Sequence, residues 1–191
     1  MKTSRRFRWL LFGVGLLLLV LLLLPVLAPF GWHMWYGDTA EFHSWNISVP
    51  TGWLIQDRGP ALVVTRMPWG YPLARSDLSF AVLVHVEGIT LFDMNRAYPI
   101  WKQHTLRGFE GQGYRLSQER TLRVADRDSR CLEFVAEQVS RVQIACFHAR
   151  DSVSASFQGD GGFVEEFYSL LGAVQRVPPP SAPSAGSSAS H

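Results

Sequence analysis

The stretch YRLSQERTLRVADRDSRCLEFVAEQVSRVQIACFHARDSVSASF, residues 114–157, contains four runs rich in β-branched and apolar residues, separated by turn-forming positions. Turns are predicted near residues 126–128, 139–140 and 150–151. Short strands joined by such turns pair with their sequence neighbours in antiparallel order. The stretch therefore predicts a four-stranded antiparallel meander.

Further elements are predicted on both sides of this meander. Short strands are expected at 45–49 and 61–66, and residues 79–88 form the strongest strand pattern, typical of an internal strand. Amphipathic patterns predict one helix from about 90 to 107 and a closing helix within 163–174. The order predicts an α+β fold in which two amphipathic helices pack on an antiparallel sheet.

The N-terminal region contains an uncharged run of 22 residues, 9–30, which as a helix spans about 33 Å, the thickness of one hydrocarbon core. Trp32, Trp35 and Tyr36 follow it, and such rings favour the headgroup region. A cleaved signal remains the alternative, with Val26-Leu27-Ala28 as its best site, although Pro29 after the cut is a poor context. We expect a retained signal anchor.

The charges around this run indicate its orientation. Residues 1–8 hold four basic side chains, which the positive-inside rule keeps in the cytoplasm. We therefore expect a single-pass membrane protein with its N-terminus in the cytoplasm and its C-terminal domain outside it. The expected segments are a basic cytoplasmic segment at 1–8, the membrane anchor at 9–30, an aromatic juxtamembrane segment at 31–40, an extracytoplasmic α+β domain at 41–176 and a disordered Pro/Ser/Ala tail at 177–191.

Net charge gives no argument for nucleic-acid binding. Beyond residue 8 the chain holds 14 Lys and Arg against 16 Asp and Glu, so the sequence pI of 8.7 reflects the basic N-terminus. About 140 residues remain for the domain, which is enough for one hydrophobic core.

The only two cysteines, Cys131 and Cys146, lie in the segment expected outside the cytoplasm, where disulfides persist. If the strands pair about residues 138 and 139, these cysteines face each other and a disulfide is reachable. The apolar pattern also suits a register one residue away, with Leu132 and Phe134 on the face of Ile144, which separates the two sulfur atoms. The sequence leaves both registers open.

The segment FHSWNISVPTGW resembles the first strand of the PsbP-like superfamily, where a short aromatic-flanked strand enters a Pro-x-Gly-Trp turn. The closing segment FVEEFYSLLGAV, residues 163–174, resembles the last helix of that family. The resemblance covers about residues 40–176 and implies an antiparallel sheet with helices on its faces, in a non-enzymatic protein that binds or stabilises partners. The expected anchor departs from the plant members of this family, whose transit peptides are removed, and so favours a bacterial relative held in the inner membrane with its C-terminal domain in the periplasm. The matching residues of the first segment are Phe42, Trp45, Ile47, Val49, Pro50, Gly52 and Trp53.

The search for chemical motifs yields weak candidates. His43, His85 and His148 lie in or beside predicted strands without the spacing of a zinc motif, so the sequence predicts no metal and no cofactor. A hydrolase would need dispersed groups such as His104 and Asp93 to converge, and no motif places two catalytic groups together. A metal- or ligand-binding domain and a hydrolase remain the alternatives to partner binding.

The loop at 67–72, MPWGYP, is the best candidate for recognition. Trp69 and Tyr71 on a proline-stiffened loop could anchor a protein partner at a low cost in ordering entropy. The competing interpretation is that Trp69 folds back and covers one end of the core. Asp160-Gly161-Gly162 before the closing helix is interpreted as a helix cap rather than an anion site.

Overall fold

A computed structural model describes residues 5–69, 78–86, 94–125, 127–136, 140–147 and 152–177. Three α-helices are present in these ranges: α1 (Arg5–Tyr36), α2 (Met94–Glu110) and α3 (Val164–Gly172), with a 3-10 turn at Gly161–Phe163 immediately before α3. The strands are β1 (Thr39–Phe42), β2 (Trp45–Ser48), β3 (Trp53–Arg58), β4 (Ala61–Arg66), β5 (Ser79–Val86), β6 (Tyr114–Val124), β7 (Arg127–Ala136), β8 (Arg141–Phe147), β9 (Ser152–Asp160) and β10 (Gln175–Arg176).

The strands form two antiparallel sheets. The larger has seven strands in the order β3-β4-β5-β9-β8-β7-β6, and the smaller has the order β1-β2-β10. Strands β6 to β9 pair in sequence order, which confirms the predicted meander, and β5 is an internal strand between β4 and β9. The α+β class and the antiparallel pairing are confirmed. The short strand predicted at 45–49 belongs to the second sheet, because its partners are β1 and β10.

The register of β7 and β8 places Cys131 opposite Cys146, and their sulfur atoms form a disulfide. The alternative register is wrong because it assumed that β7 has a single buried face. Leu132 and Cys131 are both 0% exposed although consecutive side chains point to opposite faces of a strand. Apolar alternation cannot select a register in a strand that is buried on both sides.

One face of the large sheet holds the main core. Trp53, Leu62, Leu83 and Phe157 lie on it with exposed fractions of 2% or less, and the ring of Phe167 from α3 is 5.3 Å from that of Phe157. The small sheet contributes further buried side chains to the same cluster. The hydrophobic stripe predicted for the closing helix is buried in this cluster at Val164, Phe167, Leu170, Leu171 and Val174.

The opposite face contacts α2 over the meander. The Phe109 ring lies 4.4 Å from that of Phe134 in β7, and Tyr98 and Trp101 contact Phe147 in β8 at 5.7 and 5.1 Å. Helix α2 continues through Pro99 and ends at Glu110, three residues after the predicted end.

Helix α1 is longer than the predicted anchor and includes residues 31–36 of the expected juxtamembrane segment. Residues Phe7–Tyr36 are long and apolar enough to cross a membrane, and the apolar window is only 6% buried within the protein, unlike a core helix. Both a membrane anchor and a signal sequence have this character.

Candidate functional site

The end of α1 packs against the α+β domain. Pro25 and Pro29, one turn apart on the same helix face, are both buried. One turn further on, His33 Nε2 donates to the backbone carbonyl of Trp53 at 3.1 Å, and His33 Nδ1 lies 2.8 Å from Asp38 Oδ1. The helix therefore contacts the edge strand β3 through side-chain packing and a hydrogen bond to its first residue.

Arg66, the last residue of β4, lies beside this contact because it pairs with Trp53 in the sheet. Its Nε is 3.8 Å from Glu166 Oε2, the oxygen that also accepts the Trp53 Nε1–H at 2.6 Å. Its guanidinium carbon lies 5.2 Å from the centre of the Phe163 ring. Three separate elements, β3, β4 and the start of α3, thus position the guanidinium.

Gly52 leaves the space that the Arg66 guanidinium occupies. Its φ of +91° favours glycine, and a Cβ at this residue would lie 1.5 Å from Arg66 Nη1. The Arg66 Nε is buried, and among the described residues it has no hydrogen-bond partner. The Arg66 side chain as a whole is 24% exposed, so the guanidinium remains open to an anionic group.

A pocket of about 190 Å³ opens between α1 and the domain at this point. Its α1 wall is largely apolar, whereas its domain wall carries the Arg66 guanidinium and the Asp38 carboxylate, whose side chain is 82% exposed. Such a pocket can accept a ligand with both apolar and charged parts. The lining residues are Pro25, Val26, Pro29, Phe30, His33, Asp38, Thr51, Gly52 and Arg66.

Trp69 lies three residues beyond β4, at the end of the sheet that contacts α1, and its side chain is 72% exposed. The interpretation that Trp69 covers the core is therefore wrong. The exposed fraction is the largest of any bulky apolar side chain described after α1. Tyr71, the other residue predicted for recognition, lies outside the described residues, and the structure does not test its role.

The sequence candidates for metal binding are brought together only in part. The His43 and His85 rings stack at 4.9 Å, and Trp45 Nε1–H donates to His85 Nδ1 at 3.2 Å. His148 lies outside the described residues. Within the described ranges, no group of three or more His, Cys, Asp or Glu side chains is arranged to hold a metal ion.

The proposed hydrolase residues are not brought together in the described part of the chain. His104 is exposed on α2, and Asp93 lies outside the described residues. Residues 160–162 form a helix cap, as interpreted from the sequence, because the Asp160 carboxylate accepts the Gly162 N–H at 2.8 Å. This N–H group is therefore already occupied and does not face an anion.

Two polar clusters attach the helices to the sheet. On the α2 side, hydrogen bonds from Lys102 and then Tyr98 hold the pKa of Glu119 below its usual value, and burial raises the pKa of Tyr98. The partners are already within the domain, so we assign this cluster to packing.

On the α3 side, Tyr168 O–H and Gln118 Nε2–H both donate to Glu133 Oε2, at 3.3 and 2.8 Å. Burial, followed by the charge of Glu133, raises the pKa of Tyr168. Arg120 forms two hydrogen bonds with Glu165, which lower the pKa of that carboxyl. This cluster also has its partners within the domain and is assigned to packing.

Comparison with protein-family models and with curated protein sequences finds no match to this chain. The resemblance to the PsbP-like superfamily therefore depends on the residues quoted above. Of these, Phe42, Trp45, Ile47, Val49 and Trp53 are core residues in the structure. Packing in the core is sufficient to explain why these residues are apolar or aromatic. Their burial therefore points to no specific activity.

Proposed function

We propose that this protein is a membrane-tethered, non-enzymatic domain on the extracytoplasmic side of a bacterial inner membrane, and that it binds a protein partner as an assembly or accessory factor. The observation that carries the proposal is the exposure of Trp69 at the end of the sheet that contacts α1. A large aromatic side chain that does not contribute to the core is a typical anchor of a protein interface. Tyr71 belongs to the same proposed contact.

The position of Trp69 suits a partner that is itself attached to the membrane. Helix α1 approaches the domain at Trp53, and Trp69 follows the strand residue that pairs with Trp53. With α1 retained as an anchor, Trp69 lies at the membrane-proximal end of the domain. A partner in the same bilayer would meet this end without any reorientation of the domain.

The proposal includes a PsbP-like arrangement of the domain. The contacts of α2 with Phe134 and Phe147, and of α3 with Phe157, support a sandwich in which the helices cover opposite faces of the large sheet. In this arrangement both faces of β7 are covered, which favours the loops at the sheet ends as surfaces for recognition.

The test is co-purification of the full-length protein, tagged after His191, from gently solubilised membranes. We expect a stoichiometric partner, with recovery reduced about 30-fold by Trp69→Ala, equivalent to the roughly 2 kcal/mol that a hot-spot residue contributes. Tyr71→Ala should act in the same direction. Ile100→Ala is the matched control, because Ile100 is also exposed, at 58%, but lies on α2.

The stability of the variants separates recognition from packing. Because Trp69 is exposed, its replacement should leave the melting temperature within about 2 °C of the original value. Unchanged partner recovery, or a large fall in melting temperature with Trp69→Ala, would contradict the assignment of Trp69 as a contact residue.

A further inference from the structure

The pocket between α1 and the domain lies at a predictable depth if α1 spans the membrane, as the proposed function assumes. From Arg8 to His33 the helix rises about 37 Å, and a hydrocarbon core is about 30 Å thick within a bilayer of about 40–45 Å. With Arg8 at the cytoplasmic boundary, the core ends near residue 28. Pro25 and Val26 then lie in the outermost hydrocarbon layer, and His33 lies among the headgroups of the outer leaflet.

The lining of the pocket changes from apolar to charged near the boundary between the hydrocarbon core and the headgroups. The Val26 and Phe30 side chains are exposed, at 47% and 65%, on the lipid-facing part of the wall. The Arg66 guanidinium and the Asp38 carboxylate line the part next to the domain. The pocket therefore presents apolar surface to acyl chains and a pair of opposite charges to a headgroup.

We propose that this pocket binds an outer-leaflet phospholipid whose headgroup carries both a phosphate and a primary ammonium group, as in phosphatidylethanolamine. Arg66 binds the phosphate and Asp38 binds the ammonium group. Phe30 and Val26 contact the glycerol and the first methylene groups of the acyl chains.

The incompletely paired guanidinium of Arg66 favours this occupant. Among the described residues, Arg66 has one ion pair, to Glu166 at 3.8 Å, and its buried Nε lacks a hydrogen-bond partner. A phosphate oxygen is the acceptor that a planar guanidinium binds most effectively. A phosphate would restore the interactions that this partly buried cation loses on removal from water.

The carboxylates favour a zwitterionic headgroup over an anionic one. Asp38 lines the pocket and Glu166 lies beside Arg66, so a headgroup with a net negative charge would meet like charges. An ammonium group next to the phosphate complements Asp38, whose Oδ1 is shared with His33. The pocket volume of about 190 Å³ corresponds to about six water molecules, which suits a headgroup but not the acyl chains.

The proposal is tested by native mass spectrometry of the full-length protein titrated in detergent with phosphatidylethanolamine, phosphatidylglycerol and phosphatidylcholine of identical acyl chains. We expect one phosphatidylethanolamine to be retained preferentially. Arg66→Gln should weaken binding of all three lipids, by about tenfold or more for phosphatidylethanolamine, because it removes a charge-assisted contact. Asp38→Asn should remove the preference for phosphatidylethanolamine, since it deletes the charge while keeping the oxygen that contacts His33.

Two controls account for general charge and for folding. Arg115→Gln removes an exposed cation from β6, outside the pocket, and should leave lipid retention unchanged. Because Arg66 also pairs with Glu166, the melting temperature of Arg66→Gln must be measured alongside. Phe30→Ala alters only the helix wall of the pocket and should weaken lipid retention while the domain melts as before.

Several results would overturn the proposal. Equal lipid retention by Arg66→Gln and the unaltered protein would remove the phosphate contact, and preferential binding of phosphatidylglycerol would contradict the role of Asp38. Displacement of the lipid by inorganic phosphate alone would indicate a site for a free anion. An intact mass showing that residues 1–28 have been cleaved would mean that the mature protein lacks the membrane-embedded wall of the pocket. A failure confined to these measurements leaves the partner test at Trp69 unaffected, because that test reports co-purification of a protein.

Discussion

Removal of the Cys131–Cys146 disulfide should lower the stability of the domain by an amount that can be estimated from the chain between the cysteines. The two residues are separated by 15 positions, and closing a loop of about 15 residues restricts the unfolded chain by about 3 kcal/mol. For a chain of this size, 1 kcal/mol changes the melting temperature by about 2–4 °C. We therefore expect a decrease of about 6–12 °C, as an upper value, since residual hairpin structure in the unfolded chain would reduce it.

The assay is thermal unfolding of the full-length protein in detergent with and without a phosphine reductant, with the thiol state checked by alkylation and mass spectrometry. Cys131→Ala with Cys146→Ala should melt near the reduced protein and should not respond to reductant. Its far-UV circular dichroism should be retained, because a one-residue slip would exchange the two buried faces of β7. Complete reduction with a melting temperature unchanged within about 1 °C would refute the reasoning.

Two further predictions concern packing and the polar cluster on α2. A Cβ at Gly159 would lie 2.7 Å from Ser79 Cα, so Gly159→Ala should destabilise the protein by about 1–3 kcal/mol. A Cβ at Gly172 would have no atom within 4 Å, so Gly172→Ala is the matched control and should be neutral or stabilising. Urea unfolding of both variants measures the difference. The pKa of Glu119 in the folded protein lies below its usual value of 4.5. The ionised Glu119 carboxylate therefore stabilises the fold above about pH 4.5, and this stabilisation is lost as the pH falls through the depressed pKa. The melting temperature of Glu119→Gln should therefore lie below that of the original protein at pH 7 and converge with it on acidification, and a constant difference across this range would contradict the assignment.

The local elements were predictable because their signals lie within a few residues. The pattern ALVVTR predicted a strand at 61–66, and β4 has these limits. The capping role of Asp160 was predictable for the same reason, since the cap acts on an N–H two residues away. The register of β7 was not predictable, because both of its faces are buried and the choice depends on α2 and α3, which lie far away in the sequence.

Arg66 shows why the pocket could not be derived from the sequence. At the end of a predicted strand, an arginine before a loop is ordinarily an exposed charge, and no local pattern marks it as half-buried. Its environment is set by Gly52, Glu166 and Phe163, which come from three separate segments.

The sequence feature that marks this region is the Pro-x-Gly-Trp turn. The resemblance accounted for this turn as a structural motif, and the structure supplies the physical reason for two of its residues. Gly52 provides the positive φ and the space for the Arg66 guanidinium, while the Trp53 indole holds the carboxylate that pairs with it. The backbone carbonyl of Trp53 also accepts the hydrogen bond from His33 of α1. One turn therefore positions both a cation and the end of α1, and this coupling makes the end of the domain that contacts α1 the place where function should be sought.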